Sequence, residues 1–200
     1  MARMSPDDRR EAIVAATLAV MLRNGIAGTT VRDVAAELST SSGLIHHYVD
    51  SMDDLIAEAF ERSASEDLQV TSDAVAARQE PVAQLQAFIT SYGRGEVDSG
   101  MQLWLDAWSE ASRRPALQRT SQTLNVRWQA LLRDVIASGA AESVMMSGDP
   151  DASAWRLLSV LDGLALQSVV HPETISSEQA RQWSLHAAEL ELSLTAGSLS

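Results

Sequence analysis

Residues 29–55 read TTVRDVAAELSTSSGLIHHYVDSMDDL, and this stretch predicts the fold of the N-terminal part of the chain. Thr30 can cap a helix, and Asp33 follows at the spacing of a capping box. Apolar side chains recur at helical spacing as far as Leu38. After a short break, Ser41 is a good N-cap for a second short helix. Two short helices joined by a tight turn form a helix-turn-helix, whose second helix enters the major groove of DNA with its N-terminal end leading.

The leading end of this second helix supplies the side chains expected nearest the bases. They are Ser41, Ser42, Gly43, Leu44 and His47. A glycine inside a helix costs roughly 1 kcal/mol relative to alanine, so its presence favours a close approach by a large partner. A DNA backbone is such a partner.

Residues 10–60 resemble the N-terminal domain of TetR-family transcriptional regulators. The resemblance rests on one run of motif residues: Thr29 to Ala35, Ser41, Gly43, Ile45, His46 to Tyr48, Ser51, Asp54 and Leu55. It implies that the recognition turn and the imidazole and aromatic side chains contact bases and phosphates. The predicted DNA-binding residues are Thr30, Arg32, Ser41, Ser42, Gly43, Leu44, His46, His47 and Tyr48. A second interpretation of His46 and Tyr48 is packing between helices.

The chain departs from the family pattern at two positions. Many members carry Lys or Arg where this chain has Ser42, and Lys where it has Met52. Each change removes a phosphate partner. We therefore expect weaker DNA binding, or a shallower dependence on salt, than is usual in the family.

Composition limits how DNA could be bound. The net charge is −12, which argues against a non-specific polyanion binder, and all fifteen basic residues are Arg. Binding must rest on placed contacts from Arg3, Arg9, Arg10 and Arg32, helped by hydroxyls and helix N-termini. The absence of Cys excludes disulfides and thiolate metal sites and fits a reducing compartment.

The remaining pattern predicts an all-α fold of about nine helices. A helix from Ser5-Pro6 to about Arg23 completes a three-helix head, with Ile13, Ala16, Thr17, Val20 and Leu22 towards its core. We divide the chain into a helix-turn-helix DNA-binding domain, 1–52, and a helical ligand-binding and dimerisation domain, 53–200. The long helix from Asp53 to about Ala77 would connect the two.

Two helices of the larger domain have well-defined predicted faces. In 101–112, a polar stripe of Gln102, Asp106, Ser109 and Glu110 is expected to face water, and the remaining side chains should be buried. The helix opened by Pro115 should end at Ser138-Gly139. Its apolar seam is Leu117, Ser121, Leu124, Trp128, Leu131 and Val135.

The last two helices, about 150–171 and 176–195, carry more apolar surface than one domain needs. Their arrangement resembles the C-terminal domain of TetR-type regulators, and Ala154 to Pro172 resembles the BetI-like branch. The resemblance implies a homodimer through these helices. Its two recognition helices would lie about one DNA turn, 34 to 36 Å, apart.

No catalytic motif, phosphate loop or dinucleotide fingerprint is present, so we expect no enzyme activity and no cofactor. His171 and His186 lack the spacing of metal ligands. A binding cavity is more plausible, because aromatic and apolar side chains of successive helices share inward faces. The candidate ligand-binding residues are Phe88, Tyr92, Met101, Trp104, Trp108, Leu124, Trp128, Leu131, Trp155 and Asp162. Trp-lined cavities suit flat apolar molecules, and a nearby carboxylate favours cations. Simple core packing, and for Asp162 a hydrogen bond across a dimer, are the alternatives.

The expected function is ligand-responsive regulation of transcription. The protein would bind double-stranded operator DNA, most plausibly as a repressor, and would be released by a small hydrophobic, aromatic or cationic inducer. Arg9-Arg10 followed by an apolar run resembles a signal peptide, but neighbouring acids and the lack of an apolar segment of about 18 residues predict a cytoplasmic protein without a membrane span. Two alternatives remain: an all-helical carrier or enzyme whose head does not bind DNA, and a protein interaction adaptor.

Overall fold

The computed structural model describes residues 5–92 and 99–200. These residues form nine α-helices and no β-strand, in agreement with the predicted all-α class. The helices are α1 Pro6–Asn24, α2 Val31–Glu37, α3 Ser42–Tyr48, α4 Met52–Ala76, α5 Pro81–Ser91, α6 Ser99–Ala111, α7 Pro115–Ala141, α8 Pro150–Val170 and α9 Ser177–Glu191. Within this part of the chain, none of the helices has the length and apolar content needed to cross a membrane. Arg3 and the predicted helix end at Gly93 lie outside the described residues.

The chain folds into two compact units. Unit 1 comprises residues up to Ser65 together with Gln102–Leu124, and unit 2 comprises Glu66–Met101 together with Asn125–Ser200. Helices α4 and α7 each contribute residues to both units. Unit 1 therefore contains the predicted three-helix head and most of α6. The domain boundary at 52/53 stays a prediction.

Helix α1 begins at a complete capping box. The Ser5 hydroxyl accepts a hydrogen bond from the Asp8 amide, the Asp8 carboxylate accepts from the Ser5 amide, and Pro6 occupies the first turn. The helix ends at Gly25, whose φ of 74° is accessible to glycine at little cost. The expectation that Leu22 faces the core was wrong, because Leu22 is 49% exposed and Met21 is buried. Met21 follows Thr17 by one helical turn, whereas Leu22 lies a further 100° around the helix.

The polar stripe predicted for α6 was expected to face water, but Glu110 is buried and Asp106 is half-buried. Glu110 is buried, because it forms ion pairs with Arg113 and Arg114 at 2.5 and 3.3 Å. The Asp106 carboxylate is half-buried and accepts a hydrogen bond from the Ile26 amide at 3.4 Å. Conversely, Leu105, Trp108 and Ala111 are only half-buried and Ser112 is exposed, although all four were expected to be buried. Helical spacing marks a polar face, but two arginines just after the helix and a backbone amide between α1 and α2 satisfy part of that face and bury it.

Helix α7 continues three residues beyond its predicted end, and its buried seam includes Leu132 rather than Leu131, which is half-buried. Leu132 follows Trp128 by four residues and so stays on the same face. Gly139 does not stop the helix. A Cβ at this position would lie 2.5 Å from the Met145 sulfur, so any larger residue would require the buried Met145 side chain to move.

Helices α8 and α9 pack on each other in unit 2. Helix α9 ends four residues before the predicted Thr195. The chain then folds back and buries Leu199, whose amide donates to the Glu189 carboxylate at 3.0 Å and whose carbonyl accepts from Gln86 at 2.9 Å. Several large apolar side chains of these two helices remain exposed: Trp155, Val160, Val170, Trp183 and Leu190.

Candidate nucleic-acid interface and ligand site

The two short helices of unit 1 form the predicted helix-turn-helix. Thr30 caps α2 in a capping box with Asp33, and Ser41 caps α3 by accepting a hydrogen bond from the Leu44 amide. The turn of Leu38, Ser39 and Thr40 is closed by the Thr40 amide, which donates to the Ala35 carbonyl at 2.8 Å. Ser39 takes the left-handed conformation, with φ of 50°, that this tight turn requires.

The start of α3 is presented to solvent. Ile45 anchors the helix to the core, while Ser41, Gly43 and His47 are exposed and Leu44 is half-buried. Among the described residues other than its chain neighbours Ser42 and Leu44, the side chain within 4 Å of a Cβ built on Gly43 is that of the N-cap, Ser41. The leading end of α3 is therefore open to a large partner, as its proposed role requires.

The last turn of α3 bears on whether His46 and Tyr48 pack between helices. His46 is exposed, whereas Tyr48 is half-buried and meets the His47 ring edge-on at 5.0 Å. The half-buried Tyr48 therefore fits the packing interpretation in part, whereas the exposed His46 does not fit it. The nine DNA contacts stay predictions.

Two of the four arginines described in the predicted head, Arg10 and Arg23, are already used in ion pairs, and so is Arg62 of α4. Arg10, Arg23 and Arg62 contact Glu58, Glu37 and Glu11 at 2.6, 2.8 and 2.5 Å. Arg32 is exposed at the start of α2 and forms no ion pair within the described ranges 5–92 and 99–200. Arg32 is thus better placed than Arg10 to receive a phosphate.

The candidate ligand site lies in unit 2, where α5, α7 and α8 bring three aromatic rings and one acid together. Trp128 stands edge-on to Phe88 and Tyr92, with ring centroids 5.9 and 5.2 Å apart. Phe88 and Tyr92 stack at 5.9 Å. The Tyr92 hydroxyl donates a hydrogen bond to the Asp162 carboxylate. The three distances between ring centroids are those of favourable aromatic pairs.

Burial governs the ionisation of the two polar groups in this cluster. It raises the pKa of Asp162 to about 6, although the hydrogen bond from Tyr92 opposes the shift. Burial, and then the adjacent Asp162 charge, raise the pKa of Tyr92 well above its ordinary value. Near neutral pH the cluster therefore holds a carboxylate beside electron-rich rings, the combination that attracts organic cations.

The ten predicted ligand residues do not all belong to this cluster. Trp104, Trp108 and Leu124 are part of unit 1, where Trp104 packs edge-on against Phe60 at 4.9 Å. In unit 2, Met101 is buried, Leu131 is half-buried and Trp155 is 37% exposed. Phe88, Tyr92, Trp128 and Asp162 are the members that the structure brings together. The hydrogen bond from Tyr92 gives Asp162 a partner within its own chain, as an alternative to one across a dimer.

The ion pairs of Arg114 were not predicted from the sequence. Arg114, between α6 and α7, contacts both Glu110 and Asp53, the latter in the first turn of α4. The i, i+4 spacing of Glu110 and Arg114 could have indicated the first contact. No local signal pointed to the second, because Asp53 lies 61 residues away.

Two family models match the chain. One, described as bacterial regulatory proteins of the tetR family, matches residues 13–59, and the other, described as BetI-type transcriptional repressor, C-terminal, matches residues 81–193. The second alone covers more than half of the chain. The chain belongs to the TetR family of transcriptional regulators. The resemblance inferred from the motifs, including its BetI-like C-terminal part, is confirmed.

Curated relatives of this TetR-family regulator carry the same description. It is 34% identical over 176 residues to the HTH-type transcriptional regulator BetI of Paraburkholderia xenovorans, spanning 86% of this chain and 87% of the relative. It is 32% identical over 181 residues to BetI 2 of Chromohalobacter salexigens, spanning 86% and 83%. Family membership makes the protein a DNA-binding transcriptional regulator.

Solved structures share the fold. A proposed transcriptional regulator from Pseudomonas aeruginosa PAO1 matches with a TM-score of 0.80 at 29% identity, covering 98% of this chain and 95% of that one. A proposed regulator from Saccharomonospora viridis, solved in complex with choline, matches with a TM-score of 0.85 at 22% identity, covering 93% and 98%. The second likeness concerns the fold alone.

Proposed function

We propose that this TetR-family regulator is a homodimeric repressor, and that a small organic cation bound in unit 2 releases it from operator DNA. The observation that carries the proposal is the Asp162 carboxylate beside Tyr92 and Trp128 inside unit 2. Four residues form the core of the proposed site: Phe88, Tyr92, Trp128 and Asp162. All four lie within the segment that matches the BetI-type repressor model.

The chemistry of this cluster favours a quaternary ammonium ion. Such an ion has no N–H to donate, so it is held by ring faces and by a compensating charge rather than by directed hydrogen bonds. A cation over an aromatic face gains about 0.5 to 2 kcal/mol, most with Trp. The choline bound to the Saccharomonospora viridis protein, which shares the fold, supports the same ligand class here.

The DNA side of the proposal rests on the exposed end of α3. Residues 1–52 would form the DNA-binding domain, in which α3 enters the major groove and Arg32 and Thr30 reach phosphates from the start of α2. Both of these residues are exposed. The protein would act in the cytoplasm, where double-stranded operator DNA is accessible.

The exposed apolar side chains of α8 and α9 support a second copy of this chain as the dimer partner. Trp183 and Leu190 are seven residues apart on α9 and are 47% and 69% exposed. Residues at this spacing share a helix face, and a two-fold axis would bury that face against its own copy.

Release would be a thermodynamic coupling between the two binding events. Ligand and operator favour different separations of the two heads, so each weakens the other by the same factor, about 5- to 150-fold in typical cases. Helix α4 begins next to α3 and continues into unit 2, so we propose that it carries the shift.

A gel-shift titration with the DNA upstream of the gene tests the proposal. We expect salt-dependent binding that choline weakens and that its uncharged carbon isostere, 3,3-dimethylbutan-1-ol, does not. The Asp162→Asn variant should lose its response to choline while still binding DNA, whereas Glu173→Gln, an exposed charge control, should respond like wild type.

Three results would contradict the proposal. An absence of DNA binding would favour a carrier. Equal responses to choline and its isostere would remove the role of charge, and an unchanged choline response in Asp162→Asn would place the ligand elsewhere.

A further inference from the structure

We propose that Arg10 is a positioning residue for operator recognition, which clamps the C-terminal end of α3 instead of contacting DNA. One terminal nitrogen of its guanidinium donates to the Tyr48 carbonyl at 3.0 Å, and the other donates to the Glu58 carboxylate at 2.6 Å. This single side chain on α1 thereby joins the last residue of α3 to α4. The inference rests on the proposed DNA-binding role of α3.

Helix α3 needs such a clamp because its own interactions are few. It has seven residues, about two turns, and helices of this length are not stable on their own in water. Within α3, which lies wholly in the described part of the chain, Ile45 is the single buried residue. One fully buried side chain, with Leu44 and Tyr48 only half-buried, fixes the tilt of the helix less firmly than a fully buried face would, so its orientation also depends on how its two ends are held.

The two ends are held by different devices. At the N-terminal end, the Ser41 hydroxyl accepts from the Leu44 amide at 3.3 Å. At the C-terminal end, the last carbonyls of a helix have no partner within the helix and carry a partial negative charge. Arg10 supplies both a donor and a positive charge at that point. Glu58 accepts from the second terminal nitrogen, which helps to keep the first directed at the Tyr48 carbonyl.

A clamp and a phosphate contact have different consequences for binding. A residue that neutralises a phosphate strengthens binding to any DNA sequence, and its loss reduces the salt dependence by about one counterion. A residue that sets the tilt of α3 strengthens binding only where bases are read, and its loss leaves the salt dependence unchanged. Arg10 should behave in the second way.

The test compares Arg10→Ala, Arg10→Lys and Arg9→Ala in the full-length protein. Arg9 is the matched contrast, since it has the same charge on the same helix and no hydrogen bond to α3 within the described residues. Because Arg9 is a predicted DNA contact, its loss should weaken binding to both duplexes equally and lower the salt slope. Affinity is measured for the upstream operator fragment and for a scrambled duplex at several salt concentrations. Arg10→Ala should weaken operator binding about twofold to fivefold, the range of a charge at a helix end, with the scrambled duplex and the salt slope unaffected. Arg10→Lys should restore part of the loss.

A second measurement needs no operator. Hydrogen–deuterium exchange in the free protein should accelerate in the peptide covering α3 and Val49 for Arg10→Ala, and not for Arg9→Ala. If Arg10→Ala fails to fold, Glu58→Ala carries the test. It keeps the donor to Tyr48 but removes the orienting acid, and should show a smaller change of the same kind.

The inference and the proposed function can fail separately. If wild type does not bind the operator fragment, the proposed function fails, while exchange still decides whether Arg10 holds α3. A lower salt slope with equal losses for both duplexes would make Arg10 a phosphate contact. Unchanged exchange in α3, or equal effects of Arg9→Ala and Arg10→Ala, would also overturn the inference.

Discussion

Three carboxylates show how surroundings set the ionisation of one side-chain type. Burial raises the pKa of Asp162 to about 6. The hydrogen bond from Arg113 lowers the pKa of Glu110, and the Thr30 hydroxyl lowers that of Asp33. Asp162 is therefore the acid of the three whose charge changes closest to neutral pH, and it lies in the proposed ligand site.

Asp162 should make the protein less stable as pH rises towards neutral. Its pKa is about 6 in the folded state against 3.8 as the ordinary value, so between these pH values the folded protein binds more protons than the unfolded chain. The free energy of unfolding therefore falls across this window. Urea unfolding of wild type and Asp162→Asn from pH 4 to 7 should show a larger fall in wild type than in the variant, and the difference is the contribution of Asp162. Parallel curves would show that burial does not perturb this carboxyl.

The same group should make cation binding depend on pH. A proton and an organic cation compete for the Asp162 carboxylate, so choline affinity should decline about tenfold for each pH unit below about 6. Quenching of Trp fluorescence in a choline titration measures this directly. The uncharged isostere provides the control, and its weaker affinity should not vary with pH. A flat choline profile from pH 5 to 7 would exclude Asp162 as the counter-ion.

Among the elements, α2 and α3 depend most on their ends. Both have seven residues, and each begins at a hydroxyl that satisfies one amide of the first turn. The longer α4 and α7 have enough side chains to be held by packing alone. Capping residues should therefore matter more in the helix-turn-helix than elsewhere.

Replacing the α2 cap should destabilise the protein. Thr30→Ala removes the hydroxyl of the capping box with Asp33 and should cost about 1 kcal/mol, within a usual range of about 0.5 to 2. The denaturant concentration at the midpoint of unfolding should fall accordingly. The dependence of the unfolding free energy on denaturant concentration should stay unchanged. Thr30→Ser keeps the hydroxyl and should remain near wild type. Equal losses in both variants would mean that the methyl group, rather than the cap, stabilises this position.

At the scale of the whole molecule, two proposed properties matter most: dimerisation of the chain with a second copy, and the coupling between ligand binding and operator binding. The proposed dimer depends on the exposed apolar face of α8 and α9. The proposed coupling depends on how unit 1 is held together, where Arg114 links α4 to the end of α6. Each can be tested with a pair of variants that differ in one feature.

Leu190→Arg should convert the dimer to a monomer. The side chain is 69% exposed on α9, and an arginine there would place two like charges near the proposed two-fold axis. Light scattering after gel filtration measures the mass, and operator affinity should fall with it. Val70→Arg is the control, because Val70 is 60% exposed on α4 and should tolerate the charge. A dimeric Leu190→Arg beside a monomeric Val70→Arg would move the interface to α4.

Arg114→Ala should reduce coupling more than it reduces either binding event. Arg113 and Arg114 both pair with Glu110, but of these two Arg114 is the one that contacts Asp53 at the start of α4. Choline affinity is measured with and without operator, and the ratio gives the coupling factor. The factor should fall in Arg114→Ala and persist in Arg113→Ala. Equal factors in the two variants would show that the Asp53 contact plays no part in release.

The residues of 29–55 determined their own helices and turn, because capping, helical spacing and turn formation act over three or four residues. Thr30, Asp33 and Ser41 occupy the predicted cap positions, and Pro81, Pro115 and Pro150 open helices as proline does at a first turn. Periodicity was less precise about faces. It predicted Leu22 and Leu131 as core residues where the neighbouring Met21 and Leu132 are buried, since successive positions on a helix differ by only 100°.

The tertiary structure decided which polar side chains find partners far along the chain. Tyr92 and Asp162 are 70 residues apart, and Arg114 and Asp53 are 61 apart. Glu110 differs from these pairs, because its partners Arg113 and Arg114 follow it by only three and four residues, and its burial could have been inferred from that spacing. The free energy of burying a charge depends on the partner that meets it, and for Asp162 and Arg114 that partner lies on a distant segment of the chain.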